Sequence, residues 1–425
     1  MTSATYKKGA PYAKKYNSWR IRILYSIIIG YATFYFCRQN FNIAMPVLID
    51  SFGTSKTQIG WILSTASIVY GVGKLCNGLL SDRSNARVFM VFGLAAVGAI
   101  TLLLGFSTSI TALGILWIIN NWFQSMGWPP ATKMLTHWYA QKELGMKWAL
   151  GTTSNQIGGA IAMVVCGYLV EAYGWEMAFI VPGIVALLVS IFLFNRLRNS
   201  PQDVDLPVVE EYKECEIIDL NPNSLLTHEL MKMVFYNRQI WYISLANMCV
   251  YIVRFGIIFW APVFLHELKG ASLSSAGWQV AYYEILGLIG GITAGWMSDK
   301  RFKGKRGPVG AIFMFFLAIS LILFWLIPND YNVLSVIALA LAGFFVAGPQ
   351  VLIGVATADF TNKKAVGTAN GFAGLFGYIG SALAGICVGW IVDNVGWNGV
   401  FMFFIISSFL GVIFFILSNS NKNTK

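Results

Sequence analysis

Charge is scarce in this sequence: Asp, Glu, Lys and Arg make up 12% of 425 residues, against 56% hydrophobic residues and a mean hydropathy of +0.63. A soluble core of that size would leave far too much apolar surface uncovered, so lipid has to be the solvent. Histidine is scarcer still. His137, His228 and His266 sit near loops without a nucleophile or metal partner at useful spacing, which argues against an enzyme. Six cysteines (Cys37, Cys76, Cys166, Cys215, Cys249, Cys387) show no metal-ligand spacing and read as small apolar fillers, so no metal site is expected. No Walker loop is present, so ATP is not the expected energy source, and no cofactor is expected. A cleavable signal peptide is not expected either, because the first apolar run starts after Arg22 and is too long for one.

Long apolar stretches are abundant. A spanning helix needs about 20 mostly apolar residues, and twelve stretches qualify: 21–46, 59–80, 88–107, 111–132, 148–170, 177–195, 239–265, 276–298, 309–327, 332–357, 366–392 and 397–418. The fold class is therefore an all-α membrane protein. A net charge of +11 could suggest nucleic acid, but the basic residues are confined to alternate loops, which is the orienting signal of a membrane protein. With the amino terminus placed inside, 25 of the 30 Lys and Arg residues lie on that face and only Lys56 and Lys269 on the other, so both termini are expected to be cytoplasmic. Arg38, Lys74 and Arg254 remain, all inside helices.

One long polar segment, 199–238, carries Ser200-Pro201, Pro207, Pro222 and a mixed run from Glu210 to Glu216. It separates a six-helix bundle at 1–198 from another at 239–425. The two halves repeat each other. Gly78-Leu-Leu-Ser-Asp82-Arg83 answers Gly295-Trp-Met-Ser-Asp299-Lys300 at an offset of 217, and Gly174-Trp175 with Phe179 answers Gly396-Trp397 with Phe401 at an offset of 222. Two points in the same order indicate a duplicated, pseudo-symmetric unit.

Arg38 stands at an offset of 16 from Arg22 and of 12 from Asp50, and Arg254 stands at the same two offsets from Arg238 and His266. With a helical rise of about 1.5 Å per residue, both sit near mid-bilayer. Their own offset is 216, so the two positions are matched across the repeat. A buried arginine there costs several kcal/mol unless it faces water or an anion. Its planar fork of donors suits phosphate or carboxylate, and two forks suit a phosphate dianion. The competing reading neutralises each arginine with a buried acid, for which Glu284 and Asp359 are available. Two acids against three cations still leave one positive charge for a ligand. Lys74 fits either the anion site or a structural ion pair. Tyr31, Tyr35, Tyr70, Tyr251 and Tyr378 bring hydroxyls to helix positions, each open to packing as well as to ligand contact, while Trp128 in Gly127-Trp128-Pro129-Pro130 shapes a helix break.

The chain resembles the organophosphate:phosphate antiporters of the major facilitator superfamily. The resemblance runs from about Trp19 to Leu417. It is carried by Tyr-Phe-Cys-Arg38-Gln-Asn-Phe, Ser81-Asp82-Arg83-Ser84-Asn85, Trp122-Phe-Gln-Ser-Met-Gly-Trp-Pro-Pro130, Val250-Tyr-Ile-Val-Arg254-Phe-Gly and Gly367-Thr-Ala-Asn-Gly-Phe-Ala-Gly-Leu-Phe-Gly-Tyr378. The duplicated Gly-x-x-x-Asp-Arg/Lys element stands where that superfamily carries its loop signature. The resemblance implies that the phosphate-binding arginines are Arg38 and Arg254, the helix-two lysine Lys74, and the site tyrosines Tyr31, Tyr35, Tyr70, Tyr251 and Tyr378. It also implies that glycine-rich helices two, five, eight and eleven form the seam between halves. Where well-known members have a helix-five histidine, this chain has Asn155, which can hydrogen-bond but cannot change charge with pH.

Gly343-Phe-Phe-Val-Ala-Gly348-Pro-Gln350 and Ser298-Asp-Lys300 look more like the hexose-phosphate branch than the glycerol-phosphate branch. What the resemblance implies is a monomeric inner-membrane antiporter exchanging a sugar phosphate, hexose 6-phosphate above all, for inorganic phosphate. A glycerol-3-phosphate antiporter and a membrane sensor of external hexose phosphate are the alternatives.

Overall fold

The computed structural model describes residues 10–213, 234–328, 332–361 and 366–419, and no strand occurs among them. The centre of the polar segment, 214–233, lies outside the described residues, as do Lys363 and Lys364. Of the first half, α1 spans Ala10–Phe52, α2 Lys56–Arg83, α3 Ala86–Leu104, α4 Ile110–Gln124, α5 Trp128–Trp138, α6 Gln141–Tyr173 and α7 Met177–Arg196. A short α8, Val209–Lys213, belongs to the linker. The second half comprises α9 Arg238–Lys269, α10 Leu273–Trp296, α11 Arg306–Leu326, α12 Asn332–Asp359, α13 Val366–Asn394 and α14 Trp397–Asn419.

Nine of these helices, among the described residues, are long and apolar enough to cross a membrane. The remaining spans belong to α1, which carries Arg38 with several amides, to α4, which is only 15 residues long, and to α10, which carries Gln279 and Glu284. All three are marked by polar groups within the bilayer, α4 by Asn120, Asn121 and Gln124, and such groups are expensive there and point to function. The fourth apolar stretch, 111–132, is divided where Gly127-Trp128-Pro129-Pro130 led a break to be expected. Its chain turns at Ser125–Gly127 and restarts with Pro129 and Pro130 in the first turn of α5, where missing N–H groups do no harm. The lone Pro349 on α12 is accommodated inside its helix.

The packing repeats across the duplication. In the first half α1 lies on α6 and α7, α2 on α4, and α3 on α4 and α7; in the second, α9 lies on α13 and α14, α10 on α12, and α11 on α12 and α14. The halves meet where α2 packs on α13 and α6 on α10, with α1 touching α9. Not all the seam helices' glycines serve the seam: Gly158 backs onto Ala32 and Gly290 onto Phe344 within their own halves.

The seam is tight at one end. A Cβ on Gly60 would lie 2.7 Å from the Gly385 carbonyl oxygen and one on Gly167 would lie 2.8 Å from that of Leu273, so backbones touch there. At the same end Asp393 accepts the backbone N–H of Thr57 at 2.7 Å and its hydroxyl at 2.6 Å, capping the first turn of α2. Glu171 accepts the backbone N–H of Ser274 at 3.0 Å, capping the first turn of α10. Thr57 and Ser274 stand at an offset of 217, and Glu171 and Asp393 at an offset of 222, so the two caps are copies of one another. Lys56 adds an ion pair with Glu267 at 2.9 Å. At the opposite, basic end a Cβ on Gly371 or Gly374 would meet nothing within 4 Å.

Both copies of the loop element are braced at that basic end. Lys133 donates to the carbonyls of Ser81, Asp82 and Ser84 at 2.8–3.0 Å. In the second half Arg306 holds Asp299, the Ser298 hydroxyl at 3.0 Å and Asp359 at 3.1 Å. Asp359 is therefore not a buried partner of the mid-membrane arginines. It ends α12, its side chain is 44% exposed, and its charge is spent on the loop.

Candidate functional site

Between the halves lies a cavity of about 60 Å³, lined from the first half by α1, α2, α4 and α6 and from the second by α9, α12 and α13. Arg38 and Arg254 both line it, with Tyr35, Tyr251, Tyr378 and Asn155. Tyr35, Arg38 and Asn42 follow at helical spacing along one face of α1, which is how one helix delivers three groups to the same wall.

The two arginines are differently housed. The guanidinium of Arg254 lies 3.3 Å from Glu284 of α10, and the two side chains are 7% and 3% exposed, so this is a buried ion pair. Arg38 stays partly open to the cavity and is surrounded by rings: its guanidinium carbon lies 4.1 Å from the Tyr70 ring centre, 5.5 Å from Tyr35 and 5.9 Å from Phe255. Such contacts contribute about 0.5–2 kcal/mol each without cancelling the charge. Among the described residues no carboxylate lies within salt-bridge distance of Arg38 or Lys74.

Lys74 does not line this cavity. Its ammonium sits 5.6 Å from the Tyr378 ring centre, in a neighbouring opening of about 260 Å³ that runs along Gly71, Gly371 and Gly374. Tyr378 lines both spaces and forms the wall between them. Tyr70 lies tilted against Tyr378, with ring centres 5.3 Å apart, and its own ring faces the Arg38 guanidinium. Tyr31 is buried against Tyr35 and Trp128, 5.4 and 4.9 Å away, so it backs the site rather than lining it. With Glu284 spent on Arg254 and Asp359 on Arg306, two positive charges, Arg38 and Lys74, remain near the cavity.

Sequence reasoning passed over Gln39, Asn42, Asn121, Phe255, Phe259 and Gln350, which also line the cavity. The signal was available, because carboxamides inside apolar spans are themselves unusual.

A buried cationic cavity at the seam of two six-helix repeats is the layout of a membrane solute carrier. The family model of the Major Facilitator Superfamily matches residues 27–332 and 270–425, and the chain belongs to that superfamily. It is a transporter family, which places the chain outside the enzymes. A "probable hexose phosphate transport protein" of Chlamydia trachomatis is 38% identical over 95% of this chain and 91% of its own length. The "membrane sensor protein UhpC" of Escherichia coli is 41% identical over 91% and 89%. A "glycerol-3-phosphate transporter" of Bacillus subtilis is 38% identical over 96% and 95%. Among solved structures, a bacterial homologue of the human lysosomal transporter Spinster, in an inward-facing and unoccupied conformation, superposes with a TM-score of 0.74 at 16% identity, covering 95% of this chain and 96% of that one.

Proposed function

We infer that this protein is an inner-membrane antiporter exchanging a sugar phosphate, with hexose 6-phosphate favoured, for inorganic phosphate. The observation that carries the reading is the convergence of Arg38 and Arg254 on one cavity, with Arg38 free of any acid among the described residues. A phosphate dianion bridging the two forks would supply the missing counter-charge. Relatives of 38% identity named for hexose phosphate and for glycerol-3-phosphate support the substrate class. In this reading residues 1–198 rock against 239–425, joined by 199–238, around a fixed midplane site. The basic face is cytoplasmic by the positive-inside rule, so the arrangement is sealed outside and opens inward. A cavity of about 60 Å³ suits a phosphate group, and the sugar ring is admitted as the halves part. The working unit is the monomer.

Counterflow in proteoliposomes tests this, with labelled phosphate inside and candidate organophosphates outside. Brisk exchange with glucose 6-phosphate is the expected result; exchange with glycerol 3-phosphate alone would favour the glycerol-phosphate reading. The sensor-named relative keeps one more reading in view. Binding of glucose 6-phosphate without flux would identify a sensor.

A further inference from the structure

The first-half wall of the cavity carries four carboxamides, on Gln39, Asn42, Asn121 and Asn155. Their hydrogen bonds show which atoms are left for a ligand. Asn42 donates its amide to Gln39 at 2.6 Å, and Asn121 donates its own to the Trp117 carbonyl at 2.9 Å. The carbonyl oxygens of Asn42 and Asn155 are buried without a partner, and Asn42 as a residue is only 2% exposed. A flip can exchange O and N at Asn155, and a concerted flip of Asn42 and Gln39 keeps their bond with the roles reversed, so in either arrangement Asn42 turns one unmet polar atom away from Gln39.

An unmet carboxamide atom away from water costs about 1–3 kcal/mol and is relieved by a group that donates or accepts as required. A carbon-bound hydroxyl both donates and accepts, so it meets either atom while the phosphate oxygens stay on the Arg38 fork. Asn42 lies one helical turn beyond Arg38 on the same face of α1, about 6 Å further along the axis. The spacing separates a cationic subsite for phosphate from a carboxamide subsite one turn further along α1, towards the sealed end. Asn121 lines the same cavity from α4, an independent element.

We propose that Asn42 and Asn121, flanked by Gln39 and Asn155, form a hydroxyl-reading subsite that selects a polyhydroxylated organic phosphate over inorganic phosphate and over shorter esters. This rests on the reading above that the cavity carries a phosphorylated solute, and it names the residues that read the organic part. A site built to hydrogen-bond substrate hydroxyls discriminates strongly against analogues lacking them, because its own polar groups are then left unpaired.

The test compares the full-length protein with Asn42→Leu and Asn121→Ala in proteoliposomes, measuring phosphate self-exchange and phosphate exchange with glucose 6-phosphate and with glycerol 3-phosphate. The expected result is that the ratio of glucose 6-phosphate exchange to phosphate self-exchange falls about tenfold in each variant, with a smaller fall in the glycerol 3-phosphate ratio. Thermal stabilisation of the purified proteins by glucose 6-phosphate and by inorganic phosphate reads the same selectivity without needing flux, and there the advantage of the sugar ester should shrink. Unchanged ratios in folded variants would overturn the subsite. Inactivity of the unsubstituted protein with all three solutes would instead overturn the transport reading, while the stabilisation ratios would still decide the subsite.

Discussion

Arg38 and Arg254 occupy matched positions at an offset of 216, yet one is an unpaired cation and the other half of a buried ion pair. The difference predicts opposite consequences for stability. Removing one partner of a buried pair leaves an uncompensated charge and costs about 3–5 kcal/mol, so Arg254→Ala, which strands Glu284, should unfold at clearly lower temperature than the unsubstituted protein. Arg38→Ala removes a cation that has no acid to strand and should unfold at or near the unsubstituted temperature. Both variants should lose exchange. Replacing either by lysine keeps charge but loses the planar fork, and exchange should fall nearly as far as with alanine. Equal thermal losses in the two alanine variants would show that the arginines are equivalently housed after all. The sequence made the arginines legible because a permanent cation at mid-bilayer is rare, and it supplied Glu284 as one of two possible partners. The apolar stretch 332–357 already put Asp359 at the end of its span, but no local pattern showed that Arg306 takes it. The sequence also carried Asn42 and Asn121 as unusual carboxamides inside apolar spans, but an amide in a helix can equally be a packing residue, and only the fold brings them to the cavity.

Among the elements, the duplicated loop signature and the offsets of 217 and 222 were readable as repeats of sequence. The paired caps were not, because each joins distant parts of the chain through a single carboxylate. Thr57 with Asp393, and Ser274 with Glu171, tie the first turn of one half's seam helix to the last turns of the other's. A carboxylate at a helix N-terminus contributes about 0.3–1 kcal/mol, and up to about 2 kcal/mol where partly buried. Asp393→Asn should therefore raise the population open at that end several-fold, and combining it with Glu171→Gln should raise it further. The readout is the rate at which a membrane-impermeant maleimide, applied from the sealed side, modifies Ser67→Cys, a position of α2 that lines the cavity. An unchanged rate in the double variant would show that the glycine-lined backbone contacts hold the end shut alone. The break between α4 and α5 was legible in Gly127-Trp128-Pro129-Pro130, whereas its effect, placing Trp128 behind Tyr31, depended on packing that no local pattern encodes.

At the scale of the whole molecule, the charge left over at the site has an electrical consequence. With Arg254 cancelled by Glu284, the empty carrier holds Arg38 and Lys74 as two uncompensated positive charges near mid-membrane, and a phosphate dianion brings that sum to zero. A full elementary charge crossing the field is worth about 2.3 kcal/mol per 100 mV. The loaded protein should therefore reorient without sensing the membrane voltage, while the empty one should be drawn towards a negative interior. Phosphate self-exchange in liposomes clamped with potassium and valinomycin is expected to run at the same rate with no potential and with an interior at about −100 mV. Labelling of the empty cavity from the outside should slow as the interior is made negative. A self-exchange rate that follows the applied voltage would mean that a further charge travels with the cycle. With a voltage-independent exchange and the proposed orientation, the resting potential of the cell would itself hold the unloaded protein open towards the cytoplasm.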